Sequence, residues 1–127
     1  MIAVDTSSLI AFFRGERGRD VEALDQAFEL QQAVLPPVVL TEILSDPGLD
    51  RAVSCLLRDL PVLELQPGYW ERAAATRARI LAKRLRAPLA DTLISQSCVD
   101  QQTPLITRDS DFRHFARFAG LELVLSR

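Results

Sequence analysis

The sequence predicts an α/β fold: a three-layer α/β/α sandwich around a central parallel sheet of four to five short strands. Three observations predict it. Short apolar runs at residues 2–5, 33–35, 61–64, 105–107 and 121–125 alternate with segments of helical periodicity. Proline and glycine stand at the expected helix starts and stops. No repeat, low-complexity tract or linker divides the chain, so residues 1–127 read as one domain.

The elements follow in order. Residues 2–5 form the first strand. Thr6–Phe13 read as a short helix in which Leu9, Ile10, Phe12 and Phe13 supply apolar contacts, and Gly15 and Gly18 end it. Residues 20–33 form a second helix, with Val21, Leu24 and Phe28 at helical spacing. A brief strand at 33–35 meets Pro36 and Pro37, which suit a strand exit and a helix start. The helix continues over 38–45. Asp46 and Pro47 suit the cap and first turn of the next helix. Residues 61–64 form a third strand. A long helix begins at Pro67 or Gly68 and runs to about Arg86. Pro88 interrupts it and opens a further helix to about Val99. A fourth strand at 105–107, a helical turn or two at 110–116 and a last strand at 121–125 complete the chain. The crossovers are expected to be right-handed.

At 127 residues the chain can bury a core without staples. With 48% hydrophobic and 25% charged residues it reads as an ordinary globular domain. No uninterrupted apolar stretch reaches the length of a membrane span, and Asp5 breaks the apolar start, so a signal peptide is not expected. Cys55 and Cys98 lie in apolar, helical contexts and read as two buried thiols in a reducing cytoplasm. With the single histidine, His114, they make no zinc site, so any metal must be held mainly by oxygen. The net charge of −2 excludes a wholly basic nucleic-acid binder. Locally, residues 69–86 carry Arg72, Arg77, Arg79, Lys83, Arg84 and Arg86 against Glu71 alone. That run is either a solvated helix face or a phosphate-binding surface.

The carboxylates are the more informative residues. Ligands of open parallel sheets bind beyond the carboxyl ends of the strands. Asp5 follows the first strand and Asp109 the fourth, which places both at one sheet edge. Asp111 lies two residues further on. Glu42 sits in the nearly all-apolar "VVLTEILS", so it faces a cleft or a rim of the core. Asp91 in "PLADTLISQSC" falls almost in line with Cys98 at about 100° per residue. It therefore borders an apolar stripe, where a carboxylate needs a partner. Singly, each acid has a plain structural role: Asp5 and Asp109 as helix caps, Asp91 and Asp111 in first turns, Glu42 on a helix surface. Together they would repel one another and raise their pKa values unless a divalent cation, magnesium or manganese, joins them. Such a centre can orient a water and offset charge on a phosphodiester.

These motifs resemble those of PIN-domain nucleases, specifically the VapC-type toxins of bacterial toxin–antitoxin pairs. "AVDTSSLIAFF" resembles the family's opening strand, aspartate and helix. "VVLTEILS" is similar to its glutamate-bearing helix, "PLADTLISQSC" to its third acidic motif and "PLITRDSDF" to its fourth. The resemblance covers essentially the whole chain in order. It implies a PIN-like sandwich and a Mg- or Mn-dependent endoribonuclease in which Asp5, Glu42, Asp91 and Asp109 surround the metal. Asp5 and Asp109 would hold the principal cation. Asp111 would be auxiliary, and Ser7 and Thr107 would support the acids through their hydroxyls. Arg77, Lys83, Arg84 and Arg108 are the candidates for guiding RNA. A small VapB-like antitoxin, docking near the first helix and the apolar residues from Leu40 to Leu57, and a homodimer are implied as partners. The glycine usual before the third acid is replaced by Arg86 and Ala87, which leaves the shape of that loop open.

Two enzyme or switch readings fit less well. An aspartate-nucleophile phosphatase needs a second aspartate where Ser7 stands. A phospho-receiver domain needs an acceptor aspartate after the third strand, where only Glu64 is found. The alternative of another class is a catalytically silent PIN-like module that binds RNA or protein.

Overall fold

The computed structural model describes residues 1–125. Its sheet has three parallel strands, β1 (Ile2–Val4), β2 (Ala33–Val34) and β3 (Leu105–Ile106), in the order β2-β1-β3. Ile2 pairs with Ala33, and Ala3 pairs with Val34 on one side and Leu105 on the other. The α/β class and the parallel sheet agree with the sequence reading. The number of strands does not reach the expected four to five.

The two missing strands survive as single contacts. Val62 makes one parallel bridge to Leu35, and Leu123 makes one to Leu105. Each is held by a pair of backbone hydrogen bonds: Leu35 N–H to the Pro61 carbonyl and Leu63 N–H to the Leu35 carbonyl on one edge, Leu105 N–H to the Glu122 carbonyl and Val124 N–H to the Leu105 carbonyl on the other. The first ladder stops there for a chemical reason. Pro36 and Pro37 follow Leu35, and neither has an N–H to continue it. On the other edge, Thr107 leaves the sheet to serve the acid residues described below.

Helices connect the strands: α1 (Thr6–Phe13), α2 (Arg19–Glu29), α3 (Pro37–Leu44), α4 (Arg51–Asp59), α5 (Tyr69–Ala82), α6 (Leu89–Asp100) and α7 (Arg113–Ala119), the last preceded by a 3-10 turn at Ser110–Phe112. Several boundaries differ from expectation. α2 ends before residue 33, because Gln31 turns the chain with φ 54°. α4 starts at Arg51, capped by Asp50, whose side chain accepts from Ala52 N–H at 2.7 Å. Asp46 instead closes the preceding turn by accepting from Gly48 N–H. α5 stops at Ala82, short of Arg86, where Arg84 takes a φ of 61°.

The core lies between the sheet and its helices. Phe112, Phe115, Leu9, Leu24, Leu35, Leu57, Ile80 and Ile94 are its largest fully buried side chains. Burying each is worth about 1.5–3 kcal/mol. Cys98 joins this core, but Cys55 is exposed on α4, which corrects the expectation of two buried thiols; neither is in a disulfide. Among the described residues no helix is long and apolar enough to cross a membrane.

Candidate active site

Because β1 and β3 are parallel neighbours, the loops after them leave the sheet side by side. Asp5 and Thr107 occupy those loops. Asp5 is at the N-cap position of α1, yet its side chain makes no cap hydrogen bond and is only 4% exposed. Its Oδ2 accepts from Ser7 Oγ at 2.6 Å and from Thr107 Oγ1 at 2.9 Å. Burial raises its pKa above 3.8, and the two hydroxyls oppose that rise. Thr107 has a second function: its Oγ1 accepts from the Asp109 N–H at 3.0 Å. One hydroxyl thus fixes Asp5 and the Asp109 backbone together.

Asp109 caps the 3-10 turn, its Oδ1 accepting from Asp111 N–H at 2.9 Å. The turn folds Asp111 back beside it. Asp91, in the first turn of α6, approaches from the other side. Asp91, Asp109 and Asp111 each offer an oxygen within 4.8 Å of the others. Glu42 reaches the rim from the exposed face of α3, where Thr6 Oγ1 donates to its Oε1 at 2.7 Å. The pKa of Asp91 is pushed up to about 7, first by burial and then by the negative charges of Asp5, Asp109, Asp111 and Glu42. Five carboxylates therefore share one electric field.

This placement differs in one respect from the sequence expectation. Asp5 and Asp109 were the expected leading pair, with Asp111 auxiliary. The tight group is instead Asp91, Asp109 and Asp111, because the 3-10 turn reverses the chain after Asp109. Asp5 lies deeper and has one oxygen committed to two hydroxyls.

The expected RNA guides are mostly occupied elsewhere. Arg108 points away into its own acidic nest. Its Nε and one terminal nitrogen donate to Asp20 at 2.8 and 3.1 Å, and another donates to Glu16 at 3.0 Å. Ser8 Oγ also donates to Asp20. Burial alone would raise the pKa of Asp20, but the Arg108 and Ser8 hydrogen bonds outweigh it and hold the carboxyl below 3.8. Arg77 donates from Nε to the Ala87 carbonyl at 2.7 Å, which anchors the loop where the usual glycine is absent. Lys83 lies 4.8 Å from the centroid of the Phe118 ring. Lys83 and Arg84 remain exposed.

Arg86, which the sequence placed in the basic run but not among the RNA guides, is the one cation paired with the clustered acids among the described residues. It lies 3.7 Å from Asp111 and is 78% exposed. So long and solvated a pair contributes little. The sequence signal for it was its place five residues before Asp91, in the loop that leads into α6.

The residues fit a hard divalent cation. Every donor is oxygen, the group is crowded, and burial, followed by the neighbouring carboxylates, raises the Asp91 pKa.

Comparison with known proteins agrees with this fold. The family model described as PIN domain matches residues 2–118. No match was found among curated proteins. The fold is similar to VapBC2 from Rickettsia felis, solved bound to a DNA fragment from its promoter, with 16% identity, a TM-score of 0.73 and 97% of each chain covered. It is also similar to VapBC-5 from Mycobacterium tuberculosis, of the VapBC family of toxin–antitoxin systems, with 19% identity, a TM-score of 0.67 and 98% of each chain covered. At these identities the two structures speak for the fold, while the family match spans nearly the whole sequence. The chain belongs to the PIN-domain family.

Proposed function

We propose that this protein is a metal-dependent endoribonuclease and the toxin of a type II toxin–antitoxin pair. The observation that carries the proposal is the convergence of Asp91, Asp109 and Asp111 with no cation among the described residues paired closely enough to neutralise them. Asp5, Glu42, Asp91 and Asp109 form the acidic quartet, and Asp111 joins it as a near neighbour rather than a distant auxiliary.

Each residue has a defined task. Asp91, Asp109 and Asp111 present the oxygens that hold the cation. Magnesium or manganese, when bound, supplies an acidified water and offsets negative charge on the phosphodiester. Asp91, whose pKa is raised to about 7, would hold the cation as its carboxylate. Ser7 and Thr107 fix the orientation of Asp5. Thr6 keeps Glu42 aimed at the rim, where it can orient water. Arg86 is free to leave Asp111 for a substrate phosphate once the acids are neutralised.

Partners follow from the same reading. Two grooves flank α1. One is lined by Phe12, Phe28, Leu56 and Leu60, the other by Ile10, Phe13, Leu49 and Val53. They suit the apolar segment of a VapB-like antitoxin. The fold neighbours, which carry VapBC names, support that choice.

The test is cleavage of total RNA by purified protein in manganese, in magnesium and in a chelator, alongside Asp91→Asn. Metal-stimulated cutting that Asp91→Asn loses supports the reading. RNA binding without cutting in either metal would leave a silent binding module.

A further inference from the structure

A second feature lies against the acid centre and has no role in holding a cation. A cleft of about 500 Å³ opens between the 107–110 loop and α7. That size falls within the usual range of about 300–1,000 Å³ for ligand sites. Asp109 stands in its wall, so the cleft and the acid centre share a side chain. Arg113 and Arg117 line the α7 side, one helical turn apart and hence on one face. Ala116, Leu121 and Leu123 supply an apolar floor.

The charges here are unlike those of Arg108. Arg113 donates to the neutral Ser110 carbonyl at 2.9 Å, and Arg117 lies 5.0 Å from the centroid of the Phe118 ring. Neither forms an ion pair with a described carboxylate. Two cations above an apolar floor complement one chemistry: a phosphate joined to a flat base. Asp109, in contrast, repels a phosphate unless a cation covers it. The phosphate therefore sits on the α7 side and the base on the floor.

We propose that this cleft is a nucleotide subsite for single-stranded RNA, holding the nucleotide next to the phosphate cut at the acid centre. The inference rests on the reading of the protein as a ribonuclease. A duplex hides its base faces, so the apolar floor selects unpaired strands. Arg113 and Arg117 position the substrate, and Ala116, Leu121 and Leu123 set which base is accepted.

The experiment separates binding from cutting. Binding of a fluorescein-labelled single-stranded oligoribonucleotide is measured by anisotropy in calcium, and cleavage of the same oligonucleotide in manganese. Arg117→Glu and Ala116→Trp are compared with the unmodified protein, with thermal melts to confirm folding. Ala116→Trp fills the floor without changing charge. Both variants are expected to weaken binding about tenfold, the scale of one lost base contact. Binding unchanged in Ala116→Trp overturns the subsite, even if Arg117→Glu is weakened, because only general charge is then left. Should Ala116→Trp misfold, Ala116→Leu replaces it with the same expected direction. Absence of RNA binding by the unmodified protein also overturns the subsite. Binding that is intact and lost in both variants, but without cleavage, sinks the nuclease reading and leaves the subsite standing.

Discussion

Two groups of carboxylates stand at the same sheet edge, separated by a single residue of β3's exit loop. Arg108 serves one and Asp109 belongs to the other. In the first, Asp20 and Glu16 receive a guanidinium, a hydroxyl and a fixed geometry, and the Asp20 pKa is lowered. In the second, the only ion pair that Asp91, Asp109 and Asp111 receive among the described residues is the long, exposed contact from Arg86, and the Asp91 pKa is raised to about 7. Acids that serve the fold have a cation built in. Acids left without one are in a costly arrangement that a proton or an external cation relieves. That contrast separates the structural nest from the candidate site more sharply than burial does, since Asp20 and Asp5 are both buried.

The largest expected effect breaks the second group. Asp91→Asn should lower metal-stimulated RNA cleavage at least about a hundredfold, the loss that disturbed metal ligation brings. The same change should raise the melting temperature of the metal-free protein, because a repelling charge is gone. Differential scanning fluorimetry and a cleavage time course check both halves. A lower melting temperature would place Asp91 with the structural acids.

Breaking the first group should act in the opposite sense. Arg108→Leu leaves Asp20 buried and unpaired, and should cost about 2–3 kcal/mol of stability. Urea unfolding measures the loss. The double variant Arg108→Leu with Asp20→Asn should recover part of it, and RNA cleavage per folded molecule should stay near that of the unmodified protein.

The pH dependence sharpens the comparison next. Asp91 has a folded pKa of about 7 against 3.8 unfolded. The folded protein therefore binds more protons between those values, so Asp91 makes the metal-free protein lose stability as pH rises from about 4 to about 7. Asp20 contributes the reverse: its stabilising pair is present above 3.8 and fades as pH falls below it. Thermal melts against pH, repeated with Asp91→Asn, should show the first slope flatten. Added manganese should raise the melting temperature more at pH 8 than at pH 6, because cation and proton compete for Asp91.

The smallest effect concerns the hydroxyls. Ser7→Ala removes one hydrogen bond to a buried carboxylate and should cost about 1 kcal/mol. Cleavage should fall several-fold without being lost. Thr107→Ala should cost more, since its hydroxyl serves both Asp5 and the Asp109 backbone.

Much of this was legible in the residues. Strand-end aspartates in parallel segments had to meet, and Asp5 and Asp109 do leave adjacent strands. The hydroxyls of Ser7 and Thr107 were readable from the resemblance, and their hydrogen bonds to Asp5 match it. Three things were hidden. The 3-10 turn that swings Asp111 inward depends on a cap hydrogen bond, which spacing alone does not encode. The capture of Arg108 by Asp20 joins residues 88 positions apart, and a basic residue beside an acidic site looks the same whether it is free or paired. The edge strands failed because apolar alternation predicts an extended chain, while a ladder also needs donors, and Pro36 and Pro37 withhold them. Asp46 as a cap failed for a local reason: Asp50, four residues on, does the same task closer to the helix.

The hydrogen bond from Thr107 to Asp5 spans 102 positions of sequence. A ribosome must therefore synthesise nearly the entire polypeptide before the centre can assemble. Any nascent or prematurely released fragment that stops short of Leu105 lacks Asp109, Asp111 and the strand that aligns them. The candidate centre cannot form in such a fragment, so translation itself sets a delay between the start of synthesis and the completion of the site.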